Sequence, residues 1–178
     1  MANLEPLLEL MQDARERFSG AARAVPEPLW RIAGQPGAWS AAEVVAHVTM
    51  VETLMTGAAA KITRTPAQPV PLWKRLHLPV VSASWRMFRV KSPIPLDTLL
   101  LDDRELMLSR LAGQRQRTLA FLQAGRDTNY RDHRINHPVL GSLNYYEWFR
   151  TLAYHDVRHA KQLRELAKTR GAGRASGQ

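Results

Sequence analysis

His155 and His159 stand four residues apart in the run His155-Asp156-Val157-Arg158-His159. On a helix that spacing is an offset of about 40°, so both imidazoles leave one face a turn apart and can share one metal ion. Leu152, Leu163 and Leu166 fall on the same face, which turns the pair toward a core. His47 repeats the arrangement upstream, in register with Val44, Val48 and Val51. A lone histidine on an apolar face is commonly a satisfied core residue, but three on two inward stripes point to a common ligand. A three-histidine set leaves a fourth position for water or substrate, which the ion activates. Imidazole suits zinc and nickel, and ligand type alone does not separate these from iron or copper. His47, His155 and His159 are the predicted metal ligands.

The same run invites comparison with the H-E-x-x-H metalloproteases, whose glutamate acts as general base. Here the shorter Asp156 stands in that place and no third ligand follows downstream, so the protease reading is rejected. Asp156 is expected to pair with a neighbouring cation such as Arg158, or to support the histidines from behind. Gln162, three residues past His159, reads either as a residue that orients a ligand or substrate or as an ordinary polar helix residue. His77, His133 and His137 have no assigned chemistry.

Four amphipathic segments must carry these residues. Leu4, Leu7, Leu8, Met11, Ala14, Phe18, Ala21 and Val25 recur at helical steps, and Pro26 and Pro28 end the first helix. Ser40-Ala41-Ala42-Glu43 has the form of a capping box, starting a second helix at Ser40 that runs to about Thr63. The third begins at Asp102 or Asp103, carries Leu108, Leu111, Ala112, Leu119 and Leu122, and stops at Gly125. A polar loop over 126–136 leads to a fourth helix from Leu143 to about Lys168. Between the second and third lies a stretch, 65–95, with six prolines, Trp73 and Trp85, read as an irregular excursion with short helical pieces near 72–77 and 80–90. No strand pattern is evident. The expectation is an all-α four-helix bundle in a single domain over 1–169, followed by a flexible tail over 170–178.

Two stretches together resemble a known family. Trp39 to His47, with Glu52 after it, resembles the second-helix signature of the DinB-like superfamily of metal-binding four-helix bundles. His137-Pro138-Val139-Leu140-Gly141-Ser142-Leu143, then Glu147-Trp148, then His155 to Gln162, resemble its fourth-helix signature. The resemblance covers roughly residues 4–168. It implies an up-down-down-up bundle and a divalent metal held by one histidine of the second helix and two of the fourth, at the positions of His47, His155 and His159. It also implies thiol-dependent transferase or isomerase chemistry, in which the metal activates a low-molecular-weight thiol cosubstrate. The long excursion between the second and third helices departs from the family pattern.

Composition sets the outer limits. With no cysteine among 178 residues, disulfides, thiolate metal sites and a cysteine nucleophile are excluded. No apolar run is long enough for a transmembrane segment and the first residues do not read as a secretory signal, so a cytoplasmic protein is expected. The net charge of +9 is concentrated: residues 53–96 hold no acid but seven cations, Lys61, Arg64, Lys74, Arg75, Arg86, Arg89 and Lys91. No nucleic-acid motif accompanies them. The favoured function, from the histidine set and the resemblance, is a metal-dependent enzyme, a transferase or hydrolase acting on a small molecule, for which the positive charge favours an anion. One alternative is a non-catalytic, stress-associated metal-binding bundle. Another is a binding module for an anionic partner through 61–91. A homodimer is compatible with a bundle of this size.

Overall fold

The computed structural model describes residues 3–71, 75, 77–85 and 101–169. Four long helices dominate it: α1 Glu5–Arg23, α2 Ala41–Ile62, α3 Arg104–Ala124 and α4 Tyr145–Thr169. α1 buries Leu7, Met11, Ala14, Phe18 and Ala21 along one stripe and ends three residues before Pro26. α2 starts on the expected capping box: the Ser40 hydroxyl accepts from the Glu43 N–H at 3.3 Å, and the Glu43 carboxylate accepts from the Ser40 N–H at 2.7 Å.

Two apolar clusters fill the bundle from end to end. One joins Phe18 and Val25 near the end of α1 to Val44 and Val48 early in α2, Met107 and Leu111 early in α3, and Ala160 and Leu163 late in α4. The other joins Leu7 and Met11 of α1 to Val51 and Met55 later in α2, Leu122 late in α3, and Phe149 and Leu152 early in α4. Thus α1 and α4 run one way and α2 and α3 the other, the up-down-down-up order that the resemblance implied. Side chains such as Phe18 and Leu152, with no exposed surface, each contribute about 1.5–3 kcal/mol of burial.

Three expectations need correction. First, a two-stranded antiparallel hairpin, β1 Arg134–His137 and β2 Gly141–Asn144, stands where no strand was expected, with Ile135 opposite Leu143. Four-residue strands are too short to show a period, and Gly141 at φ 95° supplies the turn geometry that other residues resist. Second, α4 therefore starts at Tyr145, where the Asn144 side chain accepts from the N–H groups of Tyr146 and Glu147 at 3.0 and 2.9 Å. Third, Ala112 of the expected α3 stripe is exposed, whereas Gln114, Arg115 and Thr118 are buried.

The excursion is irregular as expected, with a short 3-10 helix at Val80–Ser84 where the second piece was placed. Of the first piece, only Arg75 and His77 are described, and His77 bridges to Gly141. The excursion docks on the hairpin and on α4: the Leu78 N–H donates to the Leu140 carbonyl at 3.1 Å, and Lys161 reaches the Ser84 carbonyl at 3.4 Å. Residues 86–90 of the second piece and the tail at 170–178 lie outside the described residues.

Candidate metal centre

The three histidines come together. His155 Nε2 lies 3.2 Å from His47 Nε2 and 3.2 Å from His159 Nε2. One nitrogen from each falls within a group spanning 4.8 Å. The helices account for this convergence. The Ser40 capping box sets where α2 begins and His47 follows two turns later, while His155 and His159 share a face of α4. The Trp39 ring lies 4.7 Å from His47 and stacks at 6.4 Å from His159, roofing the cluster. His47 and His159 are buried, and His155 keeps some exposed surface.

Burial favours the neutral form of His47 and His155. Desolvation lowers the His47 pKa to about 4. Burial also holds the His155 pKa well below its usual value, and the positive ends of His159, His47, Arg158 and Arg15 push the same way. A neutral imidazole is the form that binds a metal. Gln162 sits where the sequence placed an orienting residue: its Oε1 lies 2.9 Å from His159 Nδ1. That contact puts the proton on Nδ1 and turns Nε2 toward His155 with its lone pair.

These residues fit a divalent ion. Three Nε2 lone pairs facing one another repel unless a proton or cation lies between them. For metal–nitrogen bonds of 2.0–2.1 Å, ligand nitrogens stand about 3.3 Å apart around a tetrahedral ion and about 3.0 Å apart on an octahedral face. The 3.2 Å separations lie between these two figures. The Nδ1 atoms of His47 and His155 are buried without a hydrogen-bond partner among the described residues.

Beside the histidines lies a feature that the sequence reading missed. Each helix contributes one buried charge: Arg15 from α1, Glu52 from α2, Arg115 from α3 and Asp156 from α4. Arg15 pairs with Glu52 and lies 3.2 Å from Asp156. Arg115 lies 3.2 Å from Glu52 and 2.8 Å from Asp156. Asp156 is thus engaged by Arg15 and Arg115 rather than by Arg158, which donates instead to the Trp85 carbonyl. Positions 156 and 158 project from a helix about 200° apart, so the shorter reach along the chain is the longer one in space. The available signal was register, since Arg15, Glu52, Arg115 and Asp156 stand four residues after Met11, Val48, Leu111 and Leu152, but charged residues are ordinarily read as solvated.

The other histidines serve the frame. His77 pairs with Glu147 at 3.2 Å, His133 Nε2 lies 3.0 Å from the Thr65 carbonyl, and His137 Nδ1 accepts from the N–H groups of Val139 and Leu140 at 3.1 Å each. Of the basic segment 61–91, Lys74, Arg86, Arg89 and Lys91 lie outside the described residues. Among the described residues no helix is long and apolar enough to cross a membrane.

An up-down-down-up helical bundle with one inward histidine on α2 and two on α4 defines a class, that of small bundles able to hold a divalent ion between their helices. The sequence agrees with the geometry over nearly its whole length. The family model of the DinB superfamily matches residues 10–163, and the chain belongs to that superfamily. No curated protein matches the chain.

Proposed function

We propose that the protein is a divalent-metal-dependent enzyme, a transferase or hydrolase acting on a small molecule, with His47, His155 and His159 as the metal ligands. The observation that carries this reading is the approach of three Nε2 atoms from two antiparallel helices. A zinc or nickel ion held there would lower the pKa of a thiol cosubstrate or water bound to it, which suits a chain with no cysteine to serve as nucleophile.

The chain's own residues prepare the site. Burial keeps His47 and His155 unprotonated, Gln162 fixes the tautomer of His159, and Trp39 shields two of the three rings from water. The net charge of +9 favours an anionic substrate, and a cytoplasmic location belongs to the same reading.

Elemental analysis of untagged protein prepared with ample metal tests the proposal. One ion per chain is expected, and its loss in H47A is expected with it; no stoichiometric metal overturns the reading. Loading with Co2+ and adding a small thiol separates an enzyme from a purely structural bundle. A thiol-dependent change in the cobalt spectrum requires an exchangeable position, whereas a closed site gives none.

A further inference from the structure

α1 and α3 supply none of the three histidines, yet each sends one buried arginine between the two helices that do. Arg15 touches Glu52 of α2 and Asp156 of α4, and Arg115 touches the same two carboxylates from the other side. Asp156 directly follows His155, and Glu52 lies five residues beyond His47, about 7.5 Å along α2. The charges sum to zero, and all four side chains are at most 7 % exposed. The quartet lies at the junction of the two apolar clusters, with Val48 and Val51 on either side of the α2 boundary and Leu152 and Ala160 on either side of the α4 boundary.

Stability alone is a weak reason for such a group. Buried ion pairs lose so much hydration that well-packed apolar replacements are often neutral or stabilising. Their distinctive property is direction: a guanidinium presents its donors in a fixed planar fork, so an arginine bridging two carboxylates sets how far apart they stand. A three-ligand site drawn from two helices needs that kind of control, because its ligands must be held within about 0.5 Å. The attraction between the apolar side chains above and below is non-directional and does not single out the separation of two chosen atoms.

We propose that Arg15 and Arg115 are positioning residues for the histidine site, fixing α2 against α4 through Glu52 and Asp156 so that His47 meets His155 and His159. The inference rests on the reading of the three histidines as metal ligands. It assigns the two helices without ligands a definite task in building the site.

The test separates folding from positioning. In E52L/R115M one cation and one anion leave together, so the core stays neutral and the fold is retained. Zn2+ affinity, measured by competition with a chromophoric chelator, is expected to fall ten- to a hundredfold, the usual effect of losing support behind metal ligands. The Co2+ absorption spectrum is expected to change shape, while the melting temperature of the metal-free protein stays near wild type. R115K, which keeps the charge but not the fork, is the second variant and covers the case in which the double variant does not fold. Roughly tenfold weaker Zn2+ binding is expected for it. Wild-type affinity and an unchanged cobalt spectrum in a folded variant overturn the positioning role. Failure of the wild-type chain to bind either ion overturns the metal reading, and this inference falls with it.

Discussion

His159 Nδ1 lies 2.9 Å from Gln162 Oε1, one turn further along the same helix, and this contact decides which nitrogen of the ring carries the proton. An amide oxygen only accepts, so the proton stays on Nδ1 and Nε2 faces His155 as a lone pair. The site's chemistry is thus specified by a residue that is itself no ligand.

Replacing Gln162 with leucine removes the acceptor and lets the ring choose its tautomer. Zn2+ affinity should drop ten- to a hundredfold in Q162L, with little change in the stability of the metal-free protein. Q162E restores an acceptor and should return most of the affinity. Equal affinities for wild type and Q162L in chelator competition would show that the contact sets nothing.

The neutral histidines make the metal-free protein sensitive to acid. His47 titrates at about 4 when folded and near its usual 6.5 when unfolded. Between those values the unfolded chain binds more protons, so stability falls as pH drops from 6.5 toward 4 and is fully present above 6.5. The His47 contribution is at most about 3 kcal/mol. Burial raises the Glu52 pKa, which acts in the opposite sense and shallows the curve. Urea denaturation of chelator-treated wild type and H47Q across this window isolates the effect, and parallel curves would refute it.

The helices could be read from the sequence because each has a local cause. The stripe from Leu7 to Ala21 repeats at helical steps, and Ser40 and Glu43 lie close enough to mark an end by themselves. The histidine pair on α4 was legible for the same reason, since four residues along a helix is one turn. The hairpin was not, because Arg134, Asn136, Gly141 and Ser142 show no alternation in so short a span. Nor was the charge quartet. Arg15 meets Glu52 from 37 residues away and Arg115 meets Asp156 from 41, and only their register with the apolar stripes distinguishes these charges from solvated ones.

The capping box can be weighed on its own. S40A leaves the Glu43 N–H without its side-chain acceptor at the start of α2. A loss of about 1 kcal/mol is expected, read from the urea midpoint at constant slope. His47 lies two turns inside the helix, so metal affinity should change much less than in Q162L. A stability equal to wild type would mean that the first turn of α2 is held by its packing alone.

The sharpest energetic prediction concerns Arg115 and Glu52, which lie 3.2 Å apart in the core. R115M leaves Glu52 and Asp156 facing Arg15 alone, a buried excess of negative charge with one guanidinium to meet two carboxylates. Breaking a buried ion pair from one side costs about 3–5 kcal/mol. E52L/R115M removes both members, leaves Arg15 beside Asp156 at 3.2 Å, and should recover most of that loss. The two substitutions are therefore strongly non-additive, with a coupling of about 2 kcal/mol or more in a double-mutant cycle. Additive effects would mean that the two side chains do not share the energy of one buried network, and the geometry at the centre of the bundle would then have to be set by apolar packing.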